Sequence, residues 1–299
     1  MKKQKILIFI LFSFIALSAQ DHGQVLINLQ GEIQMQNTSI ETVPNAQFPF
    51  GEPLRILRQQ DRTPKKVFVL GVYASAVHAR WRSVQGSTLC DALAVASEPY
   101  IFWNGENAAE IISRINIPSE AGSLEPANDM YNGSSGRSLD ELYLAPLGFS
   151  RDDAWLCDLV PHSYMNENQS NAINTHYIQI QNRYNLPTAS IPEKPVTLTD
   201  EDRRNEIIAE LEESGADTVI LLGDDPIRWF LSFVSNCNKT RLAEFGKETY
   251  GQQHSMIING KTYTVIPLAH VRQGGRLGQN IPEWERLHSD WVENMNRRN

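Results

Sequence analysis

The sequence predicts a three-layer α/β/α fold built on a mainly parallel central sheet. Three observations carry that expectation. Short apolar runs at Val67 to Leu70, Ala154 to Val160, Thr218 to Leu222 and Tyr263 to Leu268 have the length and continuity of strands buried on both faces. Segments of helical period separate most of them, which is the alternation that yields parallel strands covered by helices. Each run also ends in a polar, turn-forming group, and open parallel sheets hold their ligands at that edge. With 299 residues, 41% of them hydrophobic, the chain can bury one large core.

Residues 1–20 open with Lys2, Lys3 and Lys5, continue through the apolar run Ile6 to Ala16 and close on the small residues Ser18 and Ala19. That order is signal-peptide-like, and the run is too short for a membrane span. As written, the chain is expected to be exported to the periplasm or medium. A start at Met35 would instead leave a cytoplasmic protein. Residues 21–63 contain few periodic apolar positions and the turn formers Pro44, Pro49, Gly51 and Pro53, so they read as an irregular arm before a domain over 64–299.

The stretch around which the rest is organised is Val67 to Trp81. Gly71 interrupts its apolar run and predicts a sharp turn, since glycine enters unusual backbone angles without steric cost. Beyond it come Tyr73, Ser75, His78 and Arg80, polar and chemically varied. Thr88 to Ala96 suits a short helix or strand. Ser138 to Leu147 reads as a helix with Ser138 as N-cap and Gly148 as its stop. Residues 161–199, rich in Asn, Gln and Pro, read as a polar surface insertion. Asp200 to Ser214, Pro226 to Val234 and Pro282 to about Asn296 read as helices, the last with Trp284, Leu287, Trp291 and Val292 on one side. Trp81, Trp103 and Trp229 are expected in the core.

A net charge of −8 argues against a protein that coats nucleic acid by basic charge alone. Cys90, Cys157 and Cys237 are too few and too widely spaced for a disulfide framework or a zinc site, and are expected to be buried.

Four strand ends carry polar punctuation: Gly71-Val72-Tyr73, Asp158 to His162, Gly223-Asp224-Asp225, and His270-Val271-Arg272-Gln273. In order and spacing these blocks resemble the uracil-DNA glycosylase superfamily over roughly Val67 to Trp291. Gly133 to Val160 is similar to the helix, glycine and strand that deliver that superfamily's base-reading residue. Ala216 to Leu231 resembles its next strand and helix, and Ile266 to Arg276 its final motif. The resemblance implies hydrolytic excision of a flipped, damaged or deaminated base from single- or double-stranded DNA, by a monomer that needs neither metal nor organic cofactor. It implies a first motif of Gly71, Val72, Tyr73 and Ser75, base stacking by Tyr131, base reading by Asp158, and stabilisation of the departing base by His270. His78 and His162 lie close enough after their strands to join the site, and Arg272, Gln273 and Arg276 would meet DNA, the arginines at phosphates.

The chain also departs from the superfamily pattern. Its first-motif turn reads GVYAS, with no acid or amide to orient water. Ala74 and Val271 stand where prolines are usual, and Asp158 stands where an asparagine is usual. An ionised Asp158 only accepts hydrogen bonds and favours a donor edge such as that of cytosine or adenine; protonated, it would imitate the amide. Asp158 has a purely structural alternative, an ion pair with a nearby arginine, and His270 has one as a loop histidine satisfied by backbone. Two other functions stay open: a catalytically silent nucleobase- or nucleic-acid-binding member of the same fold, and an exported small-ligand-binding protein.

Overall fold

The computed structural model describes residues 24–27, 33–36, 40–232, 234, 236–274 and 282–298. The signal-like segment 1–20 and Arg276 lie outside them. The chain divides into two units, Met1–Ile40 and Glu41–Asn299. In the first, Gln24–Ile27 and Ile33–Gln36 pair as an antiparallel hairpin.

The frame of the second unit comprises strands β1 (Val67–Tyr73), β2 (Ala76–Arg82), β3 (Thr88–Ser97) and β4 (Ser123–Pro126), then helix α1 (Ser134–Leu139) and strand β5 (Ala154–Val160). Helix α2 (Glu201–Ser214), strand β6 (Thr218–Leu222) and helix α3 (Asp224–Leu231) follow. Strands β7 (His254–Ile258) and β8 (Lys261–Leu268) and helices α4 (Val271–Gly274) and α5 (Pro282–Asn296) complete it. The fold is mixed α/β. Its main sheet runs β7-β8-β6-β1-β5, parallel throughout except for β7, which forms a hairpin with β8. A second, antiparallel sheet has the order β3-β2-β4.

The parallel strands bury both faces, as their unbroken apolar runs require. Phe68, Leu70, Trp155, Cys157, Val219 and Leu221 pack with Ile207 and Leu211 of α2 and Ile227 and Phe230 of α3. Their sequence neighbours Val67, Val69, Leu156, Ile220 and Leu222 pack with Leu139, Tyr143 and Leu144 and with Trp291 of α5. Trp81 and Trp103 are fully buried under the antiparallel sheet, while Trp229 is half-buried against the first cluster. Cys157 is buried, but Cys90 and Cys237 are only half-buried, and all three are free.

Several expectations need correction. The chain does not turn at Gly71: β1 continues to Tyr73, and Gly71 is not in the left-handed region. The glycine answers to crowding, because a Cβ there would lie 2.2 Å from Asp158 Oδ1 and 2.7 Å from Phe102 Cζ. The turn falls at Ala74-Ser75, and His78 sits on strand β2. Thr88–Ser97 takes the strand form, one of the two that its sequence suits. Ser138 is no N-cap: α1 starts after Gly133, whose φ is +77°, and Ser138 lies buried inside it. The cap signal yields to close packing, since Cβ atoms at Gly133 and Gly136 would lie 2.0 Å from the carbonyl carbon of Asn104 and 2.3 Å from the Phe102 and Trp103 oxygens. The helix widens over Asp140–Leu144, tightens over Ala145–Leu147 and stops at Gly148, φ +75°.

Residues 161–199 are not a surface excursion. Helices Glu167–Ala172 and Ile178–Tyr184 flank a wide turn and bury Ile173 and Tyr177 against the antiparallel sheet. Nor are 41–63 an irregular arm. Thr42–Gln47 pairs with Pro53–Arg55, and Phe48 and Leu54 are fully buried.

Candidate functional site

At the carboxyl edge of the main sheet, the register pairs Gly71 of β1 with Asp158 of β5. Asp158 is 3% exposed, and its Oδ1 has no hydrogen-bond partner. Burial pushes its carboxyl up to about 7, against a downward pull from Arg203 and with a further push from Glu210. Arg203 does not pair with that carboxylate. Its Nη2 donates to the Asp158 backbone oxygen at 2.7 Å, holding the strand rather than the side chain. The missing side chain at Gly71 leaves the space into which Asp158 Oδ1 and the Phe102 ring project.

Phe102 adopts φ +52°, an outlier for a bulky residue of the kind that collects at functional sites. Its position is fixed from below by Gly136, which lets α1 press against the Phe102 carbonyl. The same connection supplies Glu98. In the β2/β3 ladder Ala76 faces Ser97, so Glu98 follows beside Ser75. Glu98 is 5% exposed. Burial, and then Asp158, raise its pKa well above the carboxylate range, although the backbone amides of Ser75 and Trp103 favour its charged form. Two buried carboxyls therefore stand close enough for the charge of Asp158 to act on Glu98.

Further along the edge, the Tyr73 and Tyr164 rings stack at 4.0 Å with a 33° tilt. His270 follows β8 directly. Gly223 makes room for it: a Cβ at 223, where φ is +90°, would stand 3.0 Å from His270 Cβ, and the Gly223 amide donates to Leu268 O at 2.8 Å. Burial, then Arg272, pushes the imidazole down to about 4, so it is neutral at physiological pH. The Arg272 amide donates to His270 Nδ1 at 3.2 Å. A neutral ring whose Nδ1 accepts carries its proton on Nε2, so His270 offers one N–H donor.

The remaining candidates separate. Val72 packs into the core cluster of Phe68 and Leu70. A small cleft beside the edge is lined by Tyr73, Ser75, His78, Tyr164 and Asn166 among others. Tyr131 is 43% exposed, with its ring 6.1 Å from that of His78 and its carbonyl 3.1 Å from His78 Nδ1. Burial pushes His78 down to about 4. His162 Nδ1 lies 2.9 Å from the Ser163 carbonyl. Arg272 is exposed at the start of α4. Gln273 is placed in that helix by its backbone alone, its side chain being outside the described residues.

Glu98, Phe102 and Tyr164 belong to this edge without having been singled out in the sequence. Glu98 carried a weak signal as the one acid between the β3 run and the aromatic group Tyr100 to Trp103. Among the described residues, no group of three or more His, Cys, Asp or Glu side chains could hold a metal ion. No protein-family model and no curated protein matches this chain.

Proposed function

We propose that this edge receives a flipped nucleobase and that the protein is a hydrolytic DNA glycosylase with the three-layer arrangement of the uracil-DNA glycosylase superfamily. The observation that carries the reading is Asp158: a buried carboxyl with an unpartnered oxygen, set beside an aromatic ring and poised near neutrality. An unpaired buried polar group costs stability and persists where function uses it.

In this reading Phe102 stacks on the base in place of Tyr131, and protonated Asp158 donates to a keto oxygen on its edge. As the glycosidic bond breaks, its electron pair moves onto the base. The neutral His270 Nε2–H stabilises the developing negative charge without surrendering its proton. Water then adds to the sugar carbon, and its proton neutralises the departed base anion. Glu98, held protonated by burial beside the GVYAS turn, can orient that water by a hydrogen bond but does not take its proton. The acid missing from that turn favours the second reading, a silent nucleobase-binding protein.

The test incubates the full chain with labelled single- and double-stranded oligonucleotides carrying uracil, hypoxanthine, xanthine, cytosine or mispaired thymine. Alkali-labile cleavage that is lost in Asp158→Ala and His270→Ala is expected. Absence of cleavage by well-folded protein at high concentration overturns excision; if the same oligonucleotides still raise the melting temperature, the silent-binder reading stands.

A further inference from the structure

The position of His270 depends on the residue before it, and that residue is held in an unusual way. Ala269 is fully buried just past the end of β8, and side chains satisfy both of its backbone polar groups. Its N–H donates to Tyr250 Oη at 2.9 Å, and its carbonyl accepts from Tyr143 Oη at 2.9 Å. Tyr250 Oη lies 2.7 Å from His288 Nδ1, and His288 Nε2 lies 2.9 Å from the Leu142 carbonyl.

Burial pushes His288 down to about 4, so its ring is neutral at physiological pH, and the contacts then fix every proton. A carbonyl can only accept, so His288 Nε2 donates to Leu142. His288 Nδ1 then accepts from the Tyr250 hydroxyl, and the Tyr250 oxygen is left to accept from Ala269. The relay runs one way, from Ala269 through Tyr250 and His288 to Leu142. Packing holds its members in place. The Tyr143 ring stacks on His288 at 4.1 Å and 30°, and Trp291 lies 5.2 Å from His288 on the same helix. Gly251, at φ +73°, lets the Tyr250 segment close on α5, because a Cβ there would stand 2.3 Å from Trp291 Nε1.

We infer that Tyr250 and His288, with Tyr143, are positioning residues that set the orientation of His270. Three segments distant in sequence converge on one residue next to the proposed donor to the leaving base. A core needing only stability could be filled with apolar side chains. This one sets two tyrosine hydroxyls on a single alanine backbone and a histidine behind one of them. The catalytic side of the inference rests on the glycosylase reading; the positioning itself does not.

The experiment therefore reads His270 twice, in the full-length protein. Imidazole nitrogen–proton correlation spectra of the unliganded chain report the His270 tautomer, and single-turnover excision reports the reaction. The native protein is expected to show His270 as the Nε2–H tautomer alone. Tyr250→Phe and His288→Leu are expected to average the two His270 tautomers. They should slow excision about tenfold or more with oligonucleotide affinity unchanged, the loss of a transition-state contact alone. His288→Gln, which keeps one donor and one acceptor, is expected to recover most of both signals. Tyr143→Phe leaves the relay intact and removes only the hydroxyl on the Ala269 carbonyl, so it serves as the variant of choice if Tyr250→Phe does not fold. An unchanged His270 spectrum in folded Tyr250→Phe or Tyr143→Phe and in His288→Leu overturns the inference. Altered spectra in a protein that excises nothing uphold the positioning and overturn the glycosylase reading instead.

Discussion

Gly71 and Asp158 form a pair in which each residue explains the other. The glycine leaves the space that the carboxyl occupies, so Gly71→Ala must push Asp158 Oδ1 or Phe102 away. Overpacking of this kind costs about 1–3 kcal/mol, measurable by urea unfolding, and base binding should be lost with it. Glycine's backbone freedom is not at issue there, so a merely strained backbone would predict a smaller effect. Asp158 itself gives a pH signature. Its carboxyl titrates near 7 in the folded chain but near 3.8 when unexposed interactions are absent, so the unfolded chain releases this proton first. Stability should therefore fall as pH rises from about 4 to about 7 and then level off, by at most roughly 4 kcal/mol. Asp158→Asn cannot titrate. It should match the native protein near pH 4 and exceed it in stability near pH 8; equal stabilities at both pH values would show that the carboxyl is not held as described. Asp158 was legible because it breaks an apolar run, and His270 because it follows one. Glu98 and Phe102 were not, since what places them is the β2/β3 register and a left-handed backbone at 102, neither of which composition reveals.

At the level of elements, the strands of the main sheet were legible because they are buried on both faces. The misread segments are those in which tertiary contact overrides local signal. Ser138 looked like a cap, yet two glycines upstream let α1 sit directly on the 102–105 backbone. The polar composition of 161–199 disguised an element that closes the second core. Gln169 gives its amide to the exposed backbone groups of β3, with Oε1 accepting from Ala94 N–H at 2.8 Å and Nε2 donating to Ala92 O at 2.9 Å. Tyr177 does the same for the N-terminal segment, accepting from the Phe50 amide at 2.9 Å and donating to Pro187 O at 2.6 Å. Polar residues here substitute for sheet partners, which is why they do not mark a surface. Tyr177→Phe leaves the Phe50 amide and Pro187 carbonyl without that partner, and should cost about 1–3 kcal/mol in denaturant unfolding. A neutral result would return 161–199 to the status of a peripheral excursion.

Taken whole, the molecule is acidic, and its cations are largely committed to its own carboxylates. Arg58, Arg62, Arg82, Arg114, Arg151 and Arg203 all form ion pairs with Glu or Asp. At the proposed site Arg203 is bound to the Asp158 backbone oxygen, and the field of exposed Arg272 reaches both Tyr73 and His270. On the glycosylase reading, a protein built this way would not derive its affinity for DNA from neutralising many phosphates. In that reading it would rely on holding the extruded base itself, with stacking on Phe102 and a hydrogen bond from Asp158 supplying most of the binding energy. The consequence is quantitative. Each phosphate neutralised contributes about −0.9 to the slope of log affinity against log salt on duplex DNA, so one or two contacts predict a slope of roughly −1 to −2. Raising salt from about 50 to about 200 mM should then weaken binding by roughly tenfold or less, where a basic-groove protein would lose about a thousandfold or more. Fluorescence anisotropy with an oligonucleotide carrying the preferred base decides between them. A shallow slope that becomes no shallower in Phe102→Ala, alongside a large drop in affinity, is the outcome expected of base-held binding. A slope near −6 would mean that an extended phosphate-binding surface carries the complex, and would overturn recognition through the extruded base.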